Sequence, residues 1–319
     1  MINEIQRIQI GGRRRYSGIL TSEKEERSLT EISSEVEDSK VILWGGEPSL
    51  RKDILLLLEQ IKQKVSWLGI RTDGLIFQKP RLATQLQSKG LDAIIVPIPS
   101  LQADLNSWLL GKGFTKKGLQ AMKIADAIGL EVFAEILITR SGMGRIAQTV
   151  LGLIRQGITK IILRTIEADE VEKYSQLAVL PRQGLLQVEL RKAFLIAKEE
   201  GAELFFEGLS ICSFQEESQQ QWRFSDREYL LCRNIEHQNC VVPKSYIQNF
   251  GWAEFSREEI ENIEVPFQCI EIQEEDSSRA IRQHLVTIAE TKPKELHILG
   301  RFNHPKLYSL LRDSLRLAI

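Results

Sequence analysis

The chain has 319 residues, enough for one large α/β domain or for one domain with a smaller companion. Apolar residues make up 43% and charged residues 27%, as in ordinary globular proteins, and the formal net charge of −1 implies no general attraction to nucleic acid or anionic membranes. We find no apolar run of about 18 residues, no signal peptide and no disulfide framework among the four cysteines, so we expect a cytoplasmic protein without membrane or nucleic-acid partners.

Strand and helix patterns alternate through the first two thirds of the chain. The predicted strands lie near residues 5–10, 41–44, 66–71, 91–99, 131–139, 159–165 and 202–208. Ser22 and Glu25 have the spacing of a capping box at the start of the first helix. Regular alternation predicts parallel strands joined by right-handed crossovers. A closed or partial barrel and an open doubly wound sheet both fit this pattern.

Two neighbouring strands end in turn-forming polar residues. Gly45, Gly46, Glu47 and Pro48 follow the second strand, and Thr72-Asp73-Gly74 follows the third. Ligands of both architectures bind at the carboxyl ends of strands. Glycines let a ligand approach the main chain, and a carboxylate can bind an ammonium group. Taken alone, the same residues are also typical of an ordinary turn between a strand and a helix.

Four more charged residues lie near predicted strand ends or in the loops that follow: Asp104, Glu135, Arg140 and Arg164. Each one could touch a ligand at the mouth of a barrel. For each one alone, a structural salt bridge or a solvated side chain is the favoured interpretation.

The alternating pattern stops near Gly208. We therefore predict a barrel over residues 1–208, a cysteine-containing tail over 209–255 and a small α/β element over 256–319. The last region contains a helix pattern near 278–291 and the strand pattern "ELHILG".

The order of these motifs resembles the radical S-adenosylmethionine (radical SAM) superfamily. Residues 45–48 match its Gly-Gly-Glu-Pro motif, Thr72-Asp73-Gly74 is similar to its Thr-Asn-Gly turn, and "GLDAIIVPIPS" is similar to the strand that follows. The resemblance implies a partial (β/α)6 TIM-like barrel with a C-terminal extension. It also implies that S-adenosylmethionine binds at Gly45, Gly46, Glu47, Pro48, Thr72 and Asp73, with its amino group at the first turn.

The sequence departs from this family after its first strand. The family carries Cys-x3-Cys-x2-Cys there, and three thiolates hold an iron–sulfur cluster. This chain has Arg13-Arg14-Arg15 near that place, no cysteine before Cys212 and no histidine before His237. Guanidinium groups cannot serve as iron ligands. We therefore expect no cluster at the usual site and no radical chemistry by the chain alone, which makes it a pseudoenzyme.

The tail is similar to the SPASM-like cysteine tails of some radical SAM proteins. The resemblance implies that Cys212, Cys232 and Cys240 are metal ligands, whereas Ile235 stands where another ligand is expected. His237 or Cys269 could supply a fourth ligand, for iron–sulfur or zinc. The wide spacing favours the alternative, in which these cysteines are core residues.

Two functional hypotheses follow. In the first, the protein is a binding or scaffold subunit for an active radical SAM homologue and presents a peptide or protein substrate; this substrate class rests on the resemblance only. In the second, it is an enzyme that uses the retained pocket for non-radical chemistry dependent on S-adenosylmethionine or a metal.

Overall fold

A computed structural model describes residues 3–12, 26–37, 39–165 and 183–207, together with five strands between 222 and 300. The chain divides into two compact units, one built on the first 208 residues and one on the C-terminal part. Each unit is described by itself, and the domain boundaries near 208 and 255 stay predictions.

The first unit contains one eight-stranded parallel sheet. Its strands are β1 (Asn3–Gln9), β2 (Lys40–Trp44), β3 (Trp67–Arg71), β4 (Ala93–Pro97), β5 (Glu131–Ile138), β6 (Lys160–Thr165), β7 (Glu203–Glu207) and β8 (Trp222–Phe224). The spatial order is β7-β6-β5-β4-β3-β2-β1-β8. A doubly wound sheet reverses its order part-way, whereas here seven strands follow one another without reversal. The predicted partial barrel is thereby confirmed and the open sheet is excluded.

Seven α-helices are described in this unit: α1 (Leu29–Ser34), α2 (Ile54–Lys62), α3 (Pro80–Ser88), α4 (Ala103–Leu110), α5 (Phe114–Ala127), α6 (Ile146–Ile154) and α7 (Gln183–Glu199). The first helix begins with a capping box formed by Ser28 and Glu31. The box predicted at Ser22 and Glu25 lies outside the described residues. Helix α4 was not predicted. None of the described helices has the length and apolar character that a membrane crossing requires.

Alternate residues of each strand point to opposite faces of the sheet. One face carries Val96, which α5 covers at Gly118. The other face lines the barrel lumen, and its lower part is an apolar cluster of Ile5, Ile42, Ala93, Ile95, Phe133 and Ile162, with Trp67 and Phe205 packed against it.

Aromatic rings close the lumen at the amino ends of the strands. Phe133 meets Trp67 and Phe205 edge-on, at 6.5 and 5.5 Å between ring centroids. The indole N–H of Trp67 donates to Glu131, which also pairs with Lys160.

The second unit contains a four-stranded sheet. Its strands are β9 (Tyr229–Asn234), β10 (Cys240–Pro243), β11 (Phe267–Ile272) and β12 (Glu295–Gly300), in the order β10-β9-β11-β12. β10 is antiparallel to β9, whereas β11 is parallel to β9 and β12. The strand predicted for "ELHILG" is confirmed as β12, and the helix predicted near 278–291 lies outside the described residues.

Candidate functional site

Glu47 joins the carboxyl ends of β2 and β3. Its Oε1 accepts hydrogen bonds from the backbone N–H and hydroxyl of Ser49 and, at 2.6 Å, from the Thr72 hydroxyl. Its Oε2 accepts the backbone N–H of Asp73 at 2.7 Å. Only 3% of Glu47 is exposed. One buried carboxylate thus fixes the spacing of two strand ends that are 25 residues apart in sequence.

The turn after β3 is built by its own side chains. The Thr72 hydroxyl accepts from the Gly74 N–H at 3.2 Å, and Asp73 Oδ1 accepts from the Leu75 N–H at 2.8 Å. Gly74 has φ +77°, a left-handed conformation that suits glycine. Thr72 and Asp73 are buried beside Glu47. The structure therefore brings the six predicted binding residues together, while their role in binding S-adenosylmethionine stays a prediction.

The electrostatics of this cluster favour a cation. Burial, followed by the nearby charge of Asp73, raises the pKa of Glu47 to about 7, although its hydrogen-bond donors act in the opposite direction. An ammonium group placed beside the two carboxyl groups would offset both effects. The amino group of S-adenosylmethionine therefore fits the chemistry of this corner.

The backbone of the loop after β1 leaves no room for a side chain at Gly46. A Cβ atom at Gly46 would lie 2.4 Å from the Gly11 carbonyl oxygen and 2.8 Å from that of Gly12, and its φ is +64°. The sequence suggested that glycine here admits a ligand. The structure shows instead that the close neighbour on this side of Gly46 is the protein's own main chain.

Arg51 is a site residue that the sequence analysis missed. It is buried, and its guanidinium donates to the carbonyl of Ile10 at 3.2 Å and to that of Arg27 at 3.0 Å. It also forms a two-point ion pair with Asp53. The Arg27 N–H bonds directly to the Ile10 carbonyl at 3.1 Å. Arg51 therefore closes the neck of the loop that leaves β1.

A charged layer of five side chains lies above the apolar part of the lumen; its members are Arg7, Arg71, Glu135, Arg164 and Glu207. Glu207 lies 2.6 Å from Arg71 and 3.4 Å from Arg7. Glu135 lies 2.6 Å from Arg71 and 3.2 Å from Arg164. Both glutamates are almost fully buried.

The structure supports the salt-bridge interpretation for two of the four charged candidates, Glu135 and Arg164, which contact each other in this layer. Asp104 is exposed in the first turn of α4. Arg140 follows β5 and is partly buried.

The residues after β1 do not fit an iron–sulfur cluster. Ile10, Gly11 and Gly12 supply no thiolate or imidazole, Arg13–Arg15 lie outside the described residues, and the sequence holds no cysteine before Cys212. The corner at Glu47 therefore fits one end of the cofactor, whereas the loop lacks the ligands of the cluster.

The predicted metal ligands of the tail are described only in part. Cys232 and Cys240 are opposite each other in the β9–β10 register, and Cys269 is opposite Asn234 in β11–β9. Cys212 lies outside the described residues. Within the described part of the chain, no three metal-ligating side chains come together. Metal binding by these cysteines stays a prediction.

No family model matches the chain. Among curated proteins it is similar to the "Probable GTP 3',8-cyclase" of Thermococcus kodakarensis, at 38% identity over 92 residues and 29% of each chain. It is also similar to the protein of that name from Sulfurisphaera tokodaii, at 25% identity over 146 residues, or 45% of this chain and 46% of the relative. The chain thus matches less than half the length of these relatives.

Among solved structures it resembles Streptococcus suis SuiB bound to S-adenosylmethionine. The TM-score is 0.51 at 16% identity, over 65% of this chain and 47% of SuiB. SuiB bound to its precursor peptide SuiA matches with the same TM-score at 14% identity, over 65% of this chain and 48% of SuiB. These structural matches show that the chain has a partial barrel fold of the radical SAM type, and they show no activity.

We expect Gly46→Ala to destabilise the protein well beyond the roughly 1–2 kcal/mol of a left-handed alanine, because the methyl group also collides with the Gly11 and Gly12 carbonyls. Gly201→Ala is the matched control, since Gly201 has φ +70° and open space around it. Urea denaturation measures both variants. Equal losses of unfolding free energy would contradict the proposed backbone packing.

The raised pKa of Glu47 predicts a pH-dependent stability. Between about pH 4.5 and pH 7 the folded state keeps a proton that the unfolded chain has lost, so this residue's contribution to stability falls as pH rises. Relative to Glu47→Gln, the wild type should lose up to about 3 kcal/mol between pH 5 and pH 8.

Urea denaturation at these two pH values, with the exposed Glu200→Gln as control, measures the effect. A wild type and a Glu47→Gln variant with parallel pH profiles would show that the pKa of Glu47 is not raised.

Proposed function

We propose that the protein is a substrate-binding subunit with the radical SAM fold, and that it acts beside an active radical SAM enzyme. The observation that carries the proposal is a strand-end site preserved next to a loop without cluster ligands. Glu47 still ties β2 to β3, and Arg51 still closes the loop after β1. No thiolate or imidazole is available in the first 211 residues.

The chemistry of the cofactor supports this division of labour. Reductive cleavage of S-adenosylmethionine requires an electron delivered through a cluster, and thiolates, occasionally imidazoles, hold such clusters. Arginine cannot replace them because its guanidinium stays protonated. The barrel and its lumen can still bind and orient a molecule, whereas the electron must enter through another protein.

A peptide or protein is the substrate that we propose for the complex. SuiB, whose barrel resembles this one, is solved with its precursor peptide. The curated relatives are named for a reaction of GTP, so a nucleotide is the competing substrate. Assays with both classes of substrate distinguish the two.

The proposal predicts that the chain purified alone under anaerobic conditions makes no 5'-deoxyadenosine from S-adenosylmethionine and a reductant. Substrate modification should appear when an intact radical SAM homologue is added. A Cys212/Cys232/Cys240→Ser variant shows whether any bound iron belongs to the tail, because no other cysteines but Cys269 are present.

Mass spectrometry of the nucleoside product and iron analysis are the measurements. Production of 5'-deoxyadenosine by the chain alone would overturn the proposal, and so would full activity of the homologue without this chain.

A second candidate function, polar chemistry on bound S-adenosylmethionine, is favoured by the paired carboxyl groups of Glu47 and Asp73. These residues would hold the amino group of the cofactor. When bound, the cofactor supplies an electrophilic carbon for group transfer. Because Glu47 has a pKa of about 7, binding an ammonium group should release a proton and should tighten as pH rises from 6 to 8.

Calorimetry in buffers of different ionisation enthalpy measures the affinity and the released proton together. Glu47→Gln should weaken binding and remove its pH dependence. 5'-Methylthioadenosine, which lacks the amino acid part, is the control ligand and should show no pH dependence. Absence of binding at millimolar S-adenosylmethionine would exclude this second function.

A further inference from the structure

Within the described part of the chain, two buried N–H groups on neighbouring strands have no hydrogen-bond acceptor. They are Nε1 of Trp44 and Nε of Arg71, which we call the donor pair. Arg71 Nε lies 2.6 Å from Glu135 Oε2, which makes no hydrogen bond either, so these two atoms are partners in an ion pair, whereas Trp44 Nε1 has no such partner. Folded proteins rarely leave buried donors unsatisfied, and each such group requires an explanation.

The donor pair lies at one level of the lumen. Trp44 is the last residue of β2 and Arg71 the last of β3, each one position beyond the register pair Leu43–Ile70. Trp44 is two residues after Ile42, which lies in the apolar lumen cluster. Arg71 carries the same inward orientation, because it contacts Glu135 and Glu207. Adjacent parallel strands therefore present both N–H groups to the same space.

The charge around this space favours an anion. Arg7 places its guanidinium 4.9 Å from the centre of the Trp44 ring, so a second cationic side chain lies beside the donor pair. Within the charged layer, three guanidinium groups accompany two carboxylates. An oxygen that accepts the indole N–H of Trp44 is stabilised further here when it carries negative charge.

The position of the donor pair is that of a ligand site. The next residues along the chain are Gly45–Pro48 and Thr72–Asp73, which form the strand-end cluster. Ligands of α/β barrels bind at this end of the strands. The rings of Trp67 and Phe133 lie at the opposite end of the lumen, so the donor pair lies between these rings and the strand-end cluster.

We propose that Trp44 binds an oxyanion of the substrate, a carboxylate or a phosphate, with Arg7 and Arg71 beside it. The indole N–H donates to one oxygen of the bound group. The proposal rests on the lumen alone and goes beyond the proposed function, because anion binding requires neither a cluster nor a partner. A chain that generated 5'-deoxyadenosine would overturn the proposed function and leave this site intact.

Titration calorimetry of the full chain at fixed ionic strength tests the site with pyrophosphate for the phosphate arm and tricarballylate for the carboxylate arm. Trp44→Phe keeps an aromatic ring below Arg7 but removes the N–H, and it should weaken binding by about tenfold or more. Trp108→Phe on α4 is the matched control, since Trp108 is 38% exposed, and it should bind as the wild type does. Arg7→Gln provides a second variant, and thermal unfolding checks that each variant is folded.

Binding of either anion at one site per chain, weakened by Trp44→Phe and Arg7→Gln but not by Trp108→Phe, supports the proposal. Preference for pyrophosphate or for tricarballylate then tells which oxyanion the substrate carries. A chain that binds neither anion, or folded Trp44→Phe and Arg7→Gln variants that bind as tightly as the wild type, would overturn it.

Discussion

The buried carboxylate of Glu47 is the contact on which the candidate site depends. The two strand-end turns are 25 residues apart in sequence, so local structure does not fix their spacing. The carboxyl group of Glu47 accepts hydrogen bonds from the backbone of Ser49 in its own turn. It also accepts from the Thr72 hydroxyl and the Asp73 backbone in the next turn. Burying the Glu47 carboxyl group beside that of Asp73 costs free energy, because the charged form loses its contact with water. This cost is seen as the raised pKa of Glu47.

Much of the fold was readable from sequence because its determinants are local. Strand and helix periodicity and glycine at turns follow from neighbouring residues, whereas the alternation left the order of strands open between a barrel and a doubly wound sheet. The seven predicted strands agree with β1 to β7 to within a few residues. Helix α4 was not predicted because it has only eight residues. Three of them, Asn106, Leu109 and Leu110, are buried, too few to give a clear helical repeat of apolar residues.

The contacts that complete the site were not readable in the same way. Arg7 and Glu207 are 200 positions apart, and only the curvature of the sheet brings them together. Arg51 looked like an ordinary basic residue at the start of a helix, although its partners are main-chain carbonyls at Ile10 and Arg27. No sequence pattern marks a backbone carbonyl as a partner, so such contacts appear only in the folded structure.

The closed neck formed by Arg51 has a consequence for how much the loop after β1 can vary. The main chain enters and leaves the loop at Ile10 and Arg27, which are bonded to each other and to one guanidinium. The hydrogen bonds at the neck compensate for the entropy lost when these two ends are brought together. A change in the length or composition of the segment between them should therefore cost the sheet little stability. Such a closed junction lets the loop vary in sequence while the sheet keeps its architecture.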